Sequence, residues 1–134
     1  MGTLATGPLE LRLPSQMIDI EVGDDPPSFS TVTTAMPSMD LARELARSLV
    51  ENRLAACAHL VAAESVYRWE GSLHIEPETL VIAKTTSDRC RELQNYVEEH
   101  HPYEVPEIVV TSIDSGLSSY LSWIQESVLA PRDK

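Results

Sequence analysis

An α+β fold is predicted, a four-stranded sheet carrying its helices on one face, and three observations predict it. Strand-like and helix-like segments alternate in a repeated order along the chain. Two strand-favouring segments flank "EGS" at 70–72, a loop of hairpin length. Each of the first two helical segments lies between strands, as the crossover connection of a parallel pair requires. The resulting order, βαββαβ with one terminal helix, is the split-βαβ, ferredoxin-like arrangement.

Each element has its own warrant. "FSTVTTAM", 29–36, is short, threonine-rich and bounded by Pro37, as a strand is. Ser38 then caps a helix with Asp40 in its first turn. Leu41, Leu45 and Leu49 with Ala42, Ala46 and Val50 give that helix one apolar face. "LAACAHLVAAESVYRW", 54–69, and "LHIEPETLVIAKTT", 73–86, are the hairpin strands. Ser87 caps the second helix, in which Leu93, Tyr96, Val97 and His100 recur at helical spacing until Pro102, whose ring disfavours helix at the preceding residue. "PEIVVTSI", 106–113, is a β-branched strand. Gly116 punctuates, and Leu117, Leu121, Ile124 and Val128 stripe a last helix beside Tyr120 and Trp123.

The fold is expected to occupy residues 29–130. Residues 1–28 hold four of the nine prolines and no sustained period, and are expected to be a disordered or extraneous N-terminal extension. Within them Ile18, Ile20 and Val22 alternate with acidic residues in the manner of an edge strand, which "GDDPPS" separates from the rest.

Composition narrows the function. At 134 residues and 43% hydrophobic, the chain suits one domain with a core of its own. Twenty-one acidic against 10 basic residues give a formal charge of -11, a field that repels phosphate backbones, so nucleic acid is not an expected partner. No window approaches the roughly 18 apolar residues of a membrane span, and no membrane partner is expected. Cys57 and Cys90 stand in no metal-ligand or CxxC spacing, which suggests free thiols in a reducing compartment.

Strand length bears on assembly. A single strand over 54–68 would run roughly 50 Å at about 3.3 Å per residue, whereas a domain of this size is about 34 Å across. Either a bulge between Ala63 and Ser65 folds the ribbon back, or the hairpin projects and carries Val66, Tyr67, Trp69 and Leu73 into solvent. A projecting hairpin invites pairing with another chain. The second alternative is favoured, and with it a homo-oligomer.

The sharpest chemical feature is the pair His100 and His101 within "EEHHPYEVPEIVV". Adjacent helical residues point about 100° apart and do not share an ion easily, but Pro102 pushes His101 toward extended geometry and frees its ring to swing. Imidazole nitrogen suits copper, zinc or nickel, with Glu98, Glu99 and Glu104 the nearest further donors. The alternative is structural: His100 extends the face of Leu93 and Val97, and His101 meets the carbonyl end of the helix. A catalytic reading would pair Cys57 with His59 or His101, but no oxyanion loop, paired carboxylates or phosphate-binding glycines accompany them, and no enzyme is expected. Trp69 and Tyr103, with Trp123 and Tyr120, are candidate walls of a ligand cleft whose polar groups are Lys84 and Glu107. Lys84, near the end of an apolar strand, needs a partner, and Glu107 is the candidate for it, in a salt bridge at an interface.

Over about residues 29–129 the chain resembles the CutA divalent-cation-tolerance family, through "ENRLAACAHL", "SVYRWEGSL", "AKTTS", "HHPYEVPEIVV" and "YLSWI" in that order. The resemblance implies a ferredoxin-like subunit in a tight homotrimer, a cytoplasmic setting, and a part in the response to copper or other divalent metal ions. It also implies His100 and His101 as metal ligands. The family's copper-binding cysteine does not carry over, since Thr33 and Thr34 stand in its place and a hydroxyl is a poor substitute for thiolate toward Cu(I). Any copper site is therefore expected to be weaker or differently built. The alternative function is that of a trimeric small-ligand sensor or scaffold.

Overall fold

The computed structural model describes residues 26–129. The segment holding Ile18, Ile20 and Val22 lies outside the described residues. Strands β1 (Phe29–Met36), β2 (Cys57–Trp69), β3 (Ser72–Thr86) and β4 (Ile108–Ile113) form one sheet. Helices α1 (Met39–Glu51) and α2 (Cys90–His100) join β1 to β2 and β3 to β4, and α3 (Ser118–Val128) follows β4. The strand order is β2-β3-β1-β4 and every neighbouring pair is antiparallel, so β1 and β2 run parallel across β3, as the predicted α+β topology requires.

Local chemistry sets the boundaries. Ser38 is extended and its hydroxyl accepts the Leu41 N–H at 3.2 Å, capping α1. Of the predicted α1 face, Ala42, Leu45 and Leu49 are buried, while Leu41 and Val50 sit at its exposed rims. Ser87 opens a single 3-10 turn, Ser87–Arg89, ahead of α2. Leu117, expected on the α3 stripe, stands at the helix start in solvent, and Ile124 and Val128 are the buried members.

Alternation along each strand divides the sheet into two faces. Val32, Met36, Val81 and Ala83 pack with Leu45 and Leu49 of α1 and Leu93 and Val97 of α2 in the main core. On the other face α3 covers only one end, where Phe29 and Ala56 meet Ile124 and Val128. Elsewhere on that face Ile82 and Leu80 are half-buried, and Val61 and Val109 are exposed in the single chain.

The hairpin decides between the two alternatives for its length. β2 pairs with β3 in unbroken register from Cys57 with Lys84 to Trp69 with Ser72, so no bulge interrupts it. β1 pairs only with Thr79–Thr86 of β3. The outer pairs, from Ala63 with Glu78 onward, therefore form a two-stranded arm beyond the sheet. Its turn is Glu70–Gly71 with φ of 51° and 82°, the left-handed pair of a two-residue hairpin. On the arm Val66, Leu73 and Ile75 are 62%, 63% and 59% exposed.

Candidate functional site

α2 stops at His100, and His101 is extended with φ -88° and ψ 136°, as the following proline dictates. The His100 ring is exposed and stacks on Tyr96 with centroids 4.0 Å apart. Its Nδ1 lies 2.8 Å from the Tyr96 carbonyl oxygen. A carbonyl only accepts, so Nδ1 carries the proton and Nε2 keeps a free lone pair. His101 Nε2 donates to the Ala35 carbonyl at 2.9 Å, and its Nδ1 accepts the Tyr103 N–H at 3.1 Å. One nitrogen gives and the other takes, which is the neutral Nε2–H tautomer. Burial pushes the His101 pKa below the ordinary histidine value, against the raising influence of the Ala35 carbonyl and Glu78.

The contact with the helix end expected of His101 falls to His100, which also continues the α2 stripe by stacking on Tyr96. His100, not His101, bonds a carbonyl of the helix end, and His101 leaves the helix to reach β1. The extended backbone at His101 swings its ring away from the helix axis, while His100 remains helical and exposed.

This arrangement does not make the pair a chelate. Both His101 nitrogens are engaged within the fold, and His100 lines a separate cavity of about 230 Å³ with Glu44 and Tyr96. Among the described residues no group of three or more His, Cys, Asp or Glu side chains converges as a metal site would. At the end of β1 the Thr34 hydroxyl is buried with no partner among the described residues, and no thiolate stands there to bind soft copper.

The cleft candidates divide. Trp69, Tyr103 and Glu107 line one cavity of about 660 Å³ between the arm and the loop that follows α2, together with Tyr67 and Glu78. Lys84 is not among its walls. Lys84 is opposite Thr31 on β1 and Ile108 is opposite Thr34, so Glu107 sits about four residues, roughly 13 Å, further along. The expected Lys84–Glu107 pair does not form within the subunit; Lys84 Nζ instead approaches His59 Nδ1 at 3.3 Å. The Tyr103 hydroxyl donates to Glu78 Oε2 at 2.7 Å, and burial followed by that bond raises the Tyr103 pKa well above the ordinary phenol value.

Sequence reasoning missed Glu78 and the cavity-facing place of Tyr67. The signal was available in the hairpin: a two-residue turn at Glu70–Gly71 sets Ala63 opposite Glu78, and alternation then places Glu78, Tyr67 and Trp69 on one face of the ribbon. The Cys57 and His59 side chains are engaged apart from each other. Cys57 Sγ lies 3.5 Å from the Tyr120 hydroxyl, whose pKa is pushed up to about 12 by that contact and by burial.

With this geometry established, comparison with known proteins is specific. The family model for CutA1 divalent ion tolerance protein matches residues 30–127. The divalent-cation tolerance protein CutA of Thermus thermophilus is 42% identical over 97 residues, covering 72% of this chain and 94% of its own. Human protein CutA is 35% identical over 125 residues, covering 92% of this chain and 69% of its own. Among solved structures, CutA1 of Ehrlichia chaffeensis superimposes with a TM-score of 0.75 at 28% identity, covering 78% of this chain and 98% of that one. The match runs from β1 to α3 and is supported by relatives of 35–42% identity: the chain belongs to the CutA1 divalent ion tolerance family.

Proposed function

We propose that this protein works as a homotrimer in the response to divalent ions, and that it acts by binding rather than by catalysis. The observation that carries the reading is the arm: a continuous ribbon extends beyond its own sheet and holds Val66, Leu73 and Ile75 in solvent beside an uncovered sheet face. Association of copies covers both surfaces at once. Two free cysteines, Cys57 and Cys90, suit the cytoplasm.

Metal ions bind directly in this reading, including copper, but weakly. His100 Nε2 is the ring nitrogen of the pair left open, so each chain offers a single imidazole in place of a chelate. Sedimentation at micromolar concentration tests the assembly: the wild type is expected as a trimer and Leu73→Lys/Ile75→Lys as smaller species, and a stable wild-type monomer refutes it. Titration with Cu(II) and Zn(II) tests the ligand, with weak binding lost in His100→Ala and retained in His101→Ala. Tight binding that requires both histidines refutes the single-imidazole account.

A second reading, that of a small-ligand sensor, is favoured by the cavity that gathers Trp69, Tyr103 and Glu107. Its volume falls in the range of small-molecule sites, roughly 300–1,000 Å³.

A further inference from the structure

The walls of that cavity bear on the kind of ligand it suits. Three are aromatic, Tyr67, Trp69 and Tyr103, and three are carboxylates, Glu78, Glu104 and Glu107. Among the described residues no lysine, arginine or histidine lines it. The remaining surface is supplied by small or apolar groups such as Ala35, Pro102 and Val105.

Four ligand classes are separated by these walls. An anion would meet carboxylates and no cation to offset them. A neutral apolar molecule would strip water from the carboxylates and return nothing to them. A divalent metal ion requires several oxygen donors converging at short range, and no such group of three exists among the described residues. An alkylated ammonium requires neither convergence nor a directed lone pair. Its charge is spread over methyl groups that lie against aromatic faces, and surrounding carboxylates stabilise it without touching it.

Resting on the reading of this cavity as a ligand site, we propose that it binds an organic cation, an alkylated ammonium attached to an apolar body. Trp69 and Tyr103 provide the aromatic faces, and Glu107 and Glu104 provide the compensating charge. Glu78 acts through Tyr103, whose hydroxyl it accepts at 2.7 Å, and so holds that ring in the wall. Burial and then that hydrogen bond raise the Tyr103 pKa further above the ordinary phenol value, and the bond fixes the direction of the hydroxyl. The cavity, about 660 Å³, exceeds what an ammonium head alone would fill, and the apolar groups beside the rings take the body.

The test uses the full chain in its assembled state and three probes of similar size: benzyltrimethylammonium, neutral N,N-dimethylbenzamide and anionic benzoate. Calorimetry is expected to show saturable binding of the cation at one equivalent per chain, weakening with added salt, and little binding of the other two. Trp69→Ala is expected to weaken it about tenfold, the scale of a lost cation–aromatic contact. Glu107→Gln, an isosteric change at an exposed position, weakens it while leaving assembly and circular dichroism unchanged. Equal or better binding of the amide or benzoate overturns the charge assignment but leaves a ligand site. Displacement of the cation by stoichiometric Zn(II) overturns it in favour of a metal. Binding of none of the probes by the intact trimer overturns both the cation and the ligand-site reading, and leaves the proposed assembly standing.

Discussion

His101→Ala removes the partner of two backbone groups at once, the Ala35 carbonyl and the Tyr103 N–H. A typical intramolecular hydrogen bond contributes about 0.5–1.5 kcal/mol net, so losing both should cost about 1–3 kcal/mol. Water can reach this partly buried site, which places the expected loss near 2 kcal/mol, or about 8–16 °C in Tm for a domain of this size. Two further variants divide the effect. Asn presents an acceptor near the Nδ1 position and should keep the Tyr103 bond; Gln reaches toward the Nε2 position and should keep the Ala35 bond. Each should recover about half. The pH dependence follows from the same geometry. Protonating Nδ1 sets a proton against the Tyr103 N–H, and burial, the largest influence, lowers the folded pKa below the ordinary histidine value of 6.5 despite Glu78 nearby. The unfolded chain therefore binds the proton first as pH falls. His101 stabilises fully above about 6.5, and that contribution declines as pH drops from there through the folded value. Denaturant unfolding at fixed protein concentration between pH 7.5 and 5 measures both effects. A His101→Ala variant within about 0.5 kcal/mol of wild type, or an unchanged pH slope in His101→Asn, would refute the neutral, doubly bonded ring.

The hydroxyls of Thr34 and Thr85 are buried with no partner among the described residues. Thr34→Val and Thr85→Val replace each by a methyl of the same shape and should stabilise by about 1 kcal/mol apiece, raising Tm by about 4–8 °C, as thermal unfolding would show. At the arm's turn Gly71 has φ +82°, and a Cβ there meets nothing within 4 Å. Gly71→Ala should therefore cost only its backbone strain, about 1–2 kcal/mol by denaturant unfolding, and Gly71→Asn distinctly less.

Much of the fold is legible in the sequence because it depends on short-range signals. Ser38, Pro37, Pro102 and the periodic leucines act within a few residues of where they stand, and the elements they delimit agree with the structure. The arm is legible for a different reason, because length alone exceeds the domain's width. Registers are not legible. Trp69, Tyr103 and Glu107 come together while Lys84 falls outside because β3 and β4 each pair with β1 at an offset that no single strand encodes. Pattern alone extends β2 back through Leu54–Ala56; that stretch is a buried connection instead, tied to β3 by the Ala56 N–H on the Lys84 carbonyl.

The histidine pair shows the same limit at the scale of one bond. Pro102 does free the His101 ring, but freedom does not fix a destination. The destination is set by β4, whose pairing with β1 ends at Thr34 with Ile108. One residue further, the Ala35 carbonyl on a buried residue still needs a donor. His101 Nε2 is that donor, and the Tyr103 N–H then takes the other nitrogen. The ring closes the open end of a ladder and fixes the loop that carries Tyr103 into the cavity wall. Metal coordination by His101 through Nδ1 would have to displace the Tyr103 N–H, orphaning a backbone amide while Nε2 stays on the Ala35 carbonyl, and that cost separates this pair from a preformed metal site.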